Sequence, residues 1–125
     1  MVGFMIEPGR NAAVTLVVGE ADTAIAHASG DVPVLATPRI LALAEQAAVA
    51  ALGEDLTPEM TSVGVHAELH HVKSTNVGSV VTASAEVIAV RGRKISYEFQ
   101  VVEDGKVVAY GTHRRAIVRR EDFQS

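Results

Sequence analysis

The chain has 125 residues, 48% of them hydrophobic, enough apolar material for one domain with a real core. A net charge of −4 argues against nucleic acid as the main partner, because holding phosphates needs a basic surface. The absence of cysteine excludes a disulfide framework, a thiolate nucleophile and a zinc–cysteine site.

No run reaches the ~18 apolar residues of a membrane span, since Glu45 and Gln46 interrupt the longest candidate. The N-terminus from Met1 to Glu7 lacks the basic region and small-residue cleavage site of a signal peptide. No membrane partner and a cytoplasmic location are therefore the default expectations. Without repeats, low-complexity tracts or a linker, residues 1–125 read as a single domain.

Residues 12–18 read as a first strand, and residues 19–36, rich in Gly, Asp, Ala and Pro, as a long irregular connection. A helix over 38–52 follows. Thr37 suits its N-cap, Pro38 its first position and Gly53 its left-handed exit. Leu41, Glu45, Ala48 and Leu52 share one face at helical spacing. Glu45 is thus a charge in an apolar stripe, expensive to bury unless something pairs with it. Such a group often does chemistry; the plain alternative is a side chain at the edge of the stripe that reaches solvent.

Four strand-like segments come next, at about 61–73, 79–91, 94–103 and 106–119. The third alternates cleanly, with Ile95, Tyr97, Phe99 and Val101 on one face and Ser96, Glu98 and Gln100 on the other. Arg91-Gly92-Arg93 and Asp104-Gly105 are tight-hairpin chemistry, and Lys73 to Gly78 reads as a longer turn. Three hairpins in a row predict an antiparallel meander. One helix with six alanines against a five-stranded antiparallel sheet is an α+β domain, the sheet wrapping the helix. Such a unit covers one sheet face and leaves a strand edge open, which predicts a homodimer and leaves a tetramer open.

Several side chains are candidates for chemistry. In the strand at 61–73, Val63, Val65, Ala67, Leu69 and His71 share one parity, while Gly64, His66, Glu68 and His70 share the other. His71 should therefore face the helix, where an imidazole opposite Glu45 would form a general acid–base pair; a satisfied core histidine is the plain alternative. No metal site is expected, because His66 and His70 stand ~13 Å apart along a strand and His70 and His71 point to opposite faces. Thr37 is first a cap, at a helix N-terminus whose free amides could bind an oxyanion or carbonyl. Arg114, Arg115, Arg119 and Arg120 could meet a small phosphorylated ligand or simply form a solvated strand edge.

These residues match a known pattern. The chain resembles the hotdog-fold acyl-CoA thioesterases, most closely their fluoroacetyl-CoA thioesterase-like branch. Gly111-Thr112-His113-Arg114-Arg115-Ala116-Ile117-Val118 is similar to that branch's Gly-Thr-His-x-Arg-Ala-hydrophobic signature, and Gly92-Arg93-Lys94-Ile95-Ser96 to its preceding hairpin. Ala36-Thr37, Glu45, Gly64 and His71 fall in the family's spacing without a gap, over a likeness running from Val34 to Phe123. The resemblance implies the hotdog fold, a dimer, and Thr37, Glu45 and His71 as catalytic threonine, glutamate and histidine. It also implies that Gly64 lies near the acyl pocket and that Arg115 helps to hold coenzyme A. Asp31 and Leu35 stand where the fluoroacetyl enzyme has a gating phenylalanine. The expected substrate is accordingly a small or medium acyl-CoA bound beside Leu35, and coenzyme A is part of the substrate with no separate cofactor.

Thr37 and Glu45 are ~12 Å apart along one helix, too far to bond each other. A site shared between subunits is therefore expected. The helix N-terminus with Thr37 would come from one copy and Glu45 from the other, His71 shuttling the proton from a subunit left open. Two rivals remain. Hotdog hydratases are similar in using Asp-x-Asn-Pro-x-His, of which Asp22 and His27 keep the spacing without the Asn and Pro. The other is a non-catalytic acyl-CoA binding domain.

Overall fold

Strict alternation of Ile95, Tyr97, Phe99 and Val101 makes β4 (Lys94–Glu103) the central strand of the sheet, with all four side chains buried. Tight hairpins join it to β3 (Val80–Arg91) and β5 (Lys106–Arg119). At the second of them Asp104 and Gly105 both adopt positive φ, 49° and 76°, the backbone a right-twisting two-residue turn requires. β1 (Asn11–Val17) pairs with β3 at one edge and β2 (Met60–His71) with β5 at the other. The antiparallel order is β1-β3-β4-β5-β2, and one long helix, α1 (Thr37–Leu52), lies across one face. The computed structural model describes residues 6–123; the first five residues of the stretch read for a signal peptide lie outside the described residues.

The three-hairpin meander needs correction. β3, β4 and β5 form one, but β2 does not pair with β3; it crosses to the far edge and pairs with β5 from Met60↔Arg119 to His71↔Ala109. Lys73 to Gly78 therefore closes no hairpin. Its backbone bonds the early connection instead, with Leu35 N–H donating to the Thr75 carbonyl at 2.8 Å and Val34 bridging Asn76. These residues do turn the chain, but they bond the early connection rather than joining adjacent strands.

The helix buries Ile40, Leu43, Ala44, Ala47, Ala48, Ala51 and Leu52, packing chiefly over β1 and β3. Small alanines let its backbone lie close to the sheet. Leu41 and Glu45 fall on the flank of this stripe rather than within it, so the plain reading of Glu45 holds in part. The N-cap also moves by one residue. Ile40 N–H donates to the Ala36 carbonyl at 3.0 Å, which makes Ala36 the cap and puts Thr37 inside the first turn. Gly53 closes the helix at a positive φ of 57° that glycine allows, but its ψ of −132° lies outside the left-handed helical region expected for the exit.

One irregularity decides what β2 shows to the helix. Pairing passes from Gly64↔Arg115 directly to His66↔Arg114, leaving Val65 as an extra, bulged residue. A bulge reverses the parity of everything beyond it. Met60, Ser62 and Gly64 face inward before it; Ala67, Leu69 and His71, opposite His113, Gly111 and Ala109, face inward after it. The continuous apolar row Val63–Val65–Ala67–Leu69–His71 is thus corrected to its second half.

Gly111 sits where β2 and β5 meet. A Cβ there would drive into the Glu68 carbonyl and lie 2.8 Å from the Phe99 ring, and neither backbone nor core ring can move aside cheaply. Gly111→Ala should therefore destabilise the protein by about 3 kcal/mol. A urea midpoint unchanged from the parent would show that the two strands are less closely apposed.

Candidate active site

Two groups of polar side chains meet the inner face of β2, one on each side of its middle. The first joins the helix start to the strand end. Freed from capping, the Thr37 hydroxyl lies 2.8 Å from His71 Nδ1. The other ring nitrogen, His71 Nε2, is buried without a hydrogen-bond partner among the described residues. An imidazole oriented through one nitrogen and unengaged at the other is suited to proton transfer. Beside it, the first-turn amides of Thr37 and Arg39 precede the first intrahelical bond, so an electron-rich oxygen can meet donors there.

The second group surrounds Glu45. Arg115 Nη1 donates to Glu45 Oε2 at 3.2 Å, and His113 Nε2 lies 3.7 Å from the same oxygen. Arg115 is itself buried, 7% exposed, and donates through Nε to Ser62 Oγ at 2.8 Å and through Nη2 to the Ser62 carbonyl at 3.0 Å. Glu45 keeps 40% of its side chain exposed, with buried Arg115 and His113 behind it. Gly64 makes the approach possible, since a Cβ there would stand 2.6 Å from Glu45 Oε2. Tyr97 stacks on His113 with ring centroids 5.9 Å apart, and burial pushes its phenol up to about 12.

The protonation of His113 follows from its neighbours. Its Nδ1 lies 2.8 Å from the His66 carbonyl, which can only accept, so Nδ1 carries the proton. Its Nε2 lies 3.1 Å from Arg115 Nη1, which can only donate, so Nε2 offers its lone pair. Burial, with the Arg115 charge nearby, pushes the His113 imidazole below its ordinary value and keeps it neutral.

The residues singled out from the sequence divide accordingly. Thr37 and His71 come together; Glu45 joins Gly64 and Arg115. No hydrogen bond or ion pair links Glu45 to His71 within the chain among the described residues, which corrects the expected face-to-face pair. The bulge and the flank position of Glu45 send its carboxylate to β5 instead. Leu35 is 1% exposed in the core, so its side chain does not present itself to a ligand as expected. Arg115 points inward onto Ser62, His113 and Glu45, not outward as a coenzyme A contact.

The arginine cluster likewise disperses. Arg114 is exposed on the opposite face from Arg115, Arg119 pairs with Glu121, and Arg120 donates to the Pro58 and Met60 carbonyls. His70 stacks on Tyr110 at 5.0 Å. Asp22, the acid of the hydratase-like spacing, accepts from the Gly19 amide and from Arg39 Nε, each at 2.8 Å, and so fastens the early connection to the helix. His113 is the residue that sequence reasoning passed over. Its parity with Arg115 and Ile117 in β5 was the available signal, since that row faces the helix.

Comparison with known proteins agrees with this architecture. The family model described as fluoroacetyl-CoA-specific thioesterase matches residues 18–121. The fluoroacetyl-CoA thioesterase of Streptantibioticus cattleyicolor is 33% identical over 92 residues, which cover 74% of this chain and 66% of that protein, just under two thirds of its length. A variant of the fluoroacetyl-CoA thioesterase FlK, solved in complex with acetyl-CoA, is 27% identical with a TM-score of 0.87, covering 94% of this chain and 93% of that one. A hot-dog-like protein from Thermanaerovibrio acidaminovorans shares the fold, with a TM-score of 0.84 at 23% identity over 96% of this chain and 95% of that one.

A neutral buried imidazole makes stability depend on pH. The unfolded chain takes up a proton at His113 near the ordinary value of 6.5, whereas the folded chain does so only at lower pH. More protons bind to the unfolded state in that window, so stability falls as pH drops below about 6.5. Urea midpoints measured across that range should decline, and His113→Gln should decline less. Equal slopes for parent and variant would place the titration elsewhere.

Proposed function

The chain belongs to the family of fluoroacetyl-CoA-specific thioesterases, and from that premise we propose that it hydrolyses a small or medium acyl thioester of coenzyme A. The observation that carries the reading is the placement of Thr37–His71 and Glu45–Arg115 against the same inner face of the sheet, along its β2 edge. The acetyl-CoA bound by the FlK variant supports a short acyl group. No phenylalanine stands near the start of α1, where the fluoroacetyl enzyme has a gating one, which supports a substrate other than fluoroacetyl.

The working unit in this reading is a homodimer built on β2. An edge strand carries unpaired backbone groups that a second copy can satisfy. Antiparallel pairing centred between Ala67 and Glu68 would bring Gly64 and Glu45 of one copy toward His71 and Thr37 of the other, completing two equivalent sites. Because Thr37 and His71 are bonded within one chain, they act together, and the glutamate opposite them is the partner's.

The chemistry follows from these positions. The thioester carbonyl sits against the first-turn amides of α1, which stabilise the charge that develops on its oxygen. Glu45 either attacks the acyl carbon or takes a proton from the attacking water. The carbon–sulfur bond then breaks, and His71, held by Thr37, delivers a proton to the departing sulfur. Where Glu45 attacks, water then cleaves the mixed anhydride and frees the carboxylate. In either route water's oxygen ends on the acyl group, one of its hydrogens replaces the proton His71 gives to sulfur and the other leaves with the acid.

Thiol release from a panel of acyl-CoA substrates tests the activity. Thermal stabilisation by acyl-CoA without release would instead mark a binding domain. Glu45→Ala should lower kcat at least ~100-fold with the fold intact. The shared site has a sharper test. Glu45→Ala and His71→Ala proteins, each inactive, should recover up to roughly a quarter of parental activity when mixed and allowed to exchange subunits. Mixtures that stay inactive despite proven exchange would place both residues of a site in one chain.

A further inference from the structure

Arg115 holds Glu45 in an unusual way. Arginine and a carboxylate normally meet through two parallel hydrogen bonds. Here one nitrogen, Nη1, reaches one oxygen, Oε2, at 3.2 Å, and Glu45 Oε1 receives no hydrogen bond among the described residues. The rest of the guanidinium is engaged elsewhere. Nε and Nη2 are held by Ser62, and the second hydrogen of Nη1 is directed to His113 Nε2 at 3.1 Å.

Resting on the thioesterase reading above, we propose that His113 is a positioning residue: its Nε2 lone pair fixes Arg115 so that Glu45 is gripped through one oxygen and keeps the other for the reaction. The device begins at the bulge. His66, the residue after bulged Val65, offers the carbonyl that takes the His113 Nδ1 proton at 2.8 Å. That bond selects the tautomer with an acceptor at Nε2, and the acceptor, with the two bonds to Ser62, holds the guanidinium in place and occupies the second Nη1 hydrogen. Without it, Nη1 has an unpartnered hydrogen in a buried setting and only the other Glu45 oxygen to turn to. The resulting two-point grip would occupy the oxygen that must attack or accept a proton.

The charged and titratable neighbours agree with this assignment. Arg115 and His113 on β5 face the carboxylate, with Tyr97 on β4 stacked behind the His113 ring and His66 on β2 as its other titratable neighbour. Among them only Arg115 carries a permanent charge. Burial of the His113 ring, 3% exposed, closes it to substrate, so its effect passes through Arg115.

Two polar replacements separate this role from a structural one. His113→Asn places an amide N–H near the Nδ1 position, keeping the bond to His66, but is too short to reach Arg115. His113→Gln places an oxygen near the Nε2 position and restores the acceptor. At similar melting temperatures, His113→Asn should lower kcat ~10- to 100-fold with KM within about twofold, and His113→Gln should return kcat to within about threefold of the parent. A fully active Asn variant, or a Gln variant as slow as Asn, overturns the proposal. Nitrogen NMR of the unaltered protein is a second test that needs no variant. A neutral ring protonated at Nδ1 supports the proposal, and one protonated at Nε2, or at both nitrogens near neutral pH, overturns it. An active Glu45→Ala would refute the thioesterase mechanism itself, whereas an inactive Glu45→Ala beside a fully active His113→Asn would remove only the positioning role.

Discussion

The extra residue at Val65 determines which side chains the edge strand turns toward the helix, and both halves of the site follow from it. With unbroken alternation, a strand facing Gly64 inward would face His71 outward. The bulge lets both point the same way. Glycine at position 64 then gives the Glu45 carboxylate room, while the end of the strand sets an imidazole beside the helix start. Bulges concentrate next to active sites for this reason: they re-aim a side chain without ending the strand. Removing Val65 would leave every hydrogen-bonding group in β2 able to pair, yet would turn one half of the polar constellation to the outer face.

Burying an arginine is costly unless its donors are satisfied, and the inner face of β5 meets that condition with side chains from three elements. Ser62 from β2, His113 from β5 and Glu45 from α1 all accept from the one guanidinium. A neutral histidine serves better here than a second acid would. Another carboxylate at 113 would compete with Glu45 for the same cation and repel it, whereas a lone pair on a neutral ring orients the cation and leaves its charge for the glutamate. The lowered proton affinity of His113 comes first from burial and then from Arg115, since an added proton would face an arginine N–H.

Local chemistry made most of the architecture legible. The helix carried its own exit glycine, the β4 alternation named the core of the sheet, and Asp104-Gly105 announced its turn. What was hidden depended on partners distant in sequence. Nothing in Lys73 to Gly78 distinguishes a turn closing a hairpin from one bonded to the connection before the helix. Nor does Gly64-Val65-His66 declare a bulge, since the extra residue exists only relative to its pairing with Arg114 and Arg115. Of the site, Thr37, Glu45, Gly64 and His71 were individually visible, because a polar residue at an apolar or terminal position stands out. His113 was not, although the same parity argument applied to β5 would have put it in the row facing the helix.

The length of α1 explains why an edge strand is the right place for these groups. The helix start and Glu45 lie ~12 Å apart, so one chain cannot bring them onto a single thioester carbonyl by any side-chain rotation. A two-fold axis removes the difficulty, provided both groups lie near a surface that pairs with itself. β2 is such a surface. It runs antiparallel to β5 on one side, has an edge on the other that no described strand pairs with, and carries the two groups toward opposite ends. In the proposed dimer, self-pairing about its middle would exchange those ends, and symmetry would supply the reach the helix lacks. The same step would shield the half-exposed Glu45 carboxylate from water, so that assembling the dimer and sharpening the charge interactions of the site become one event.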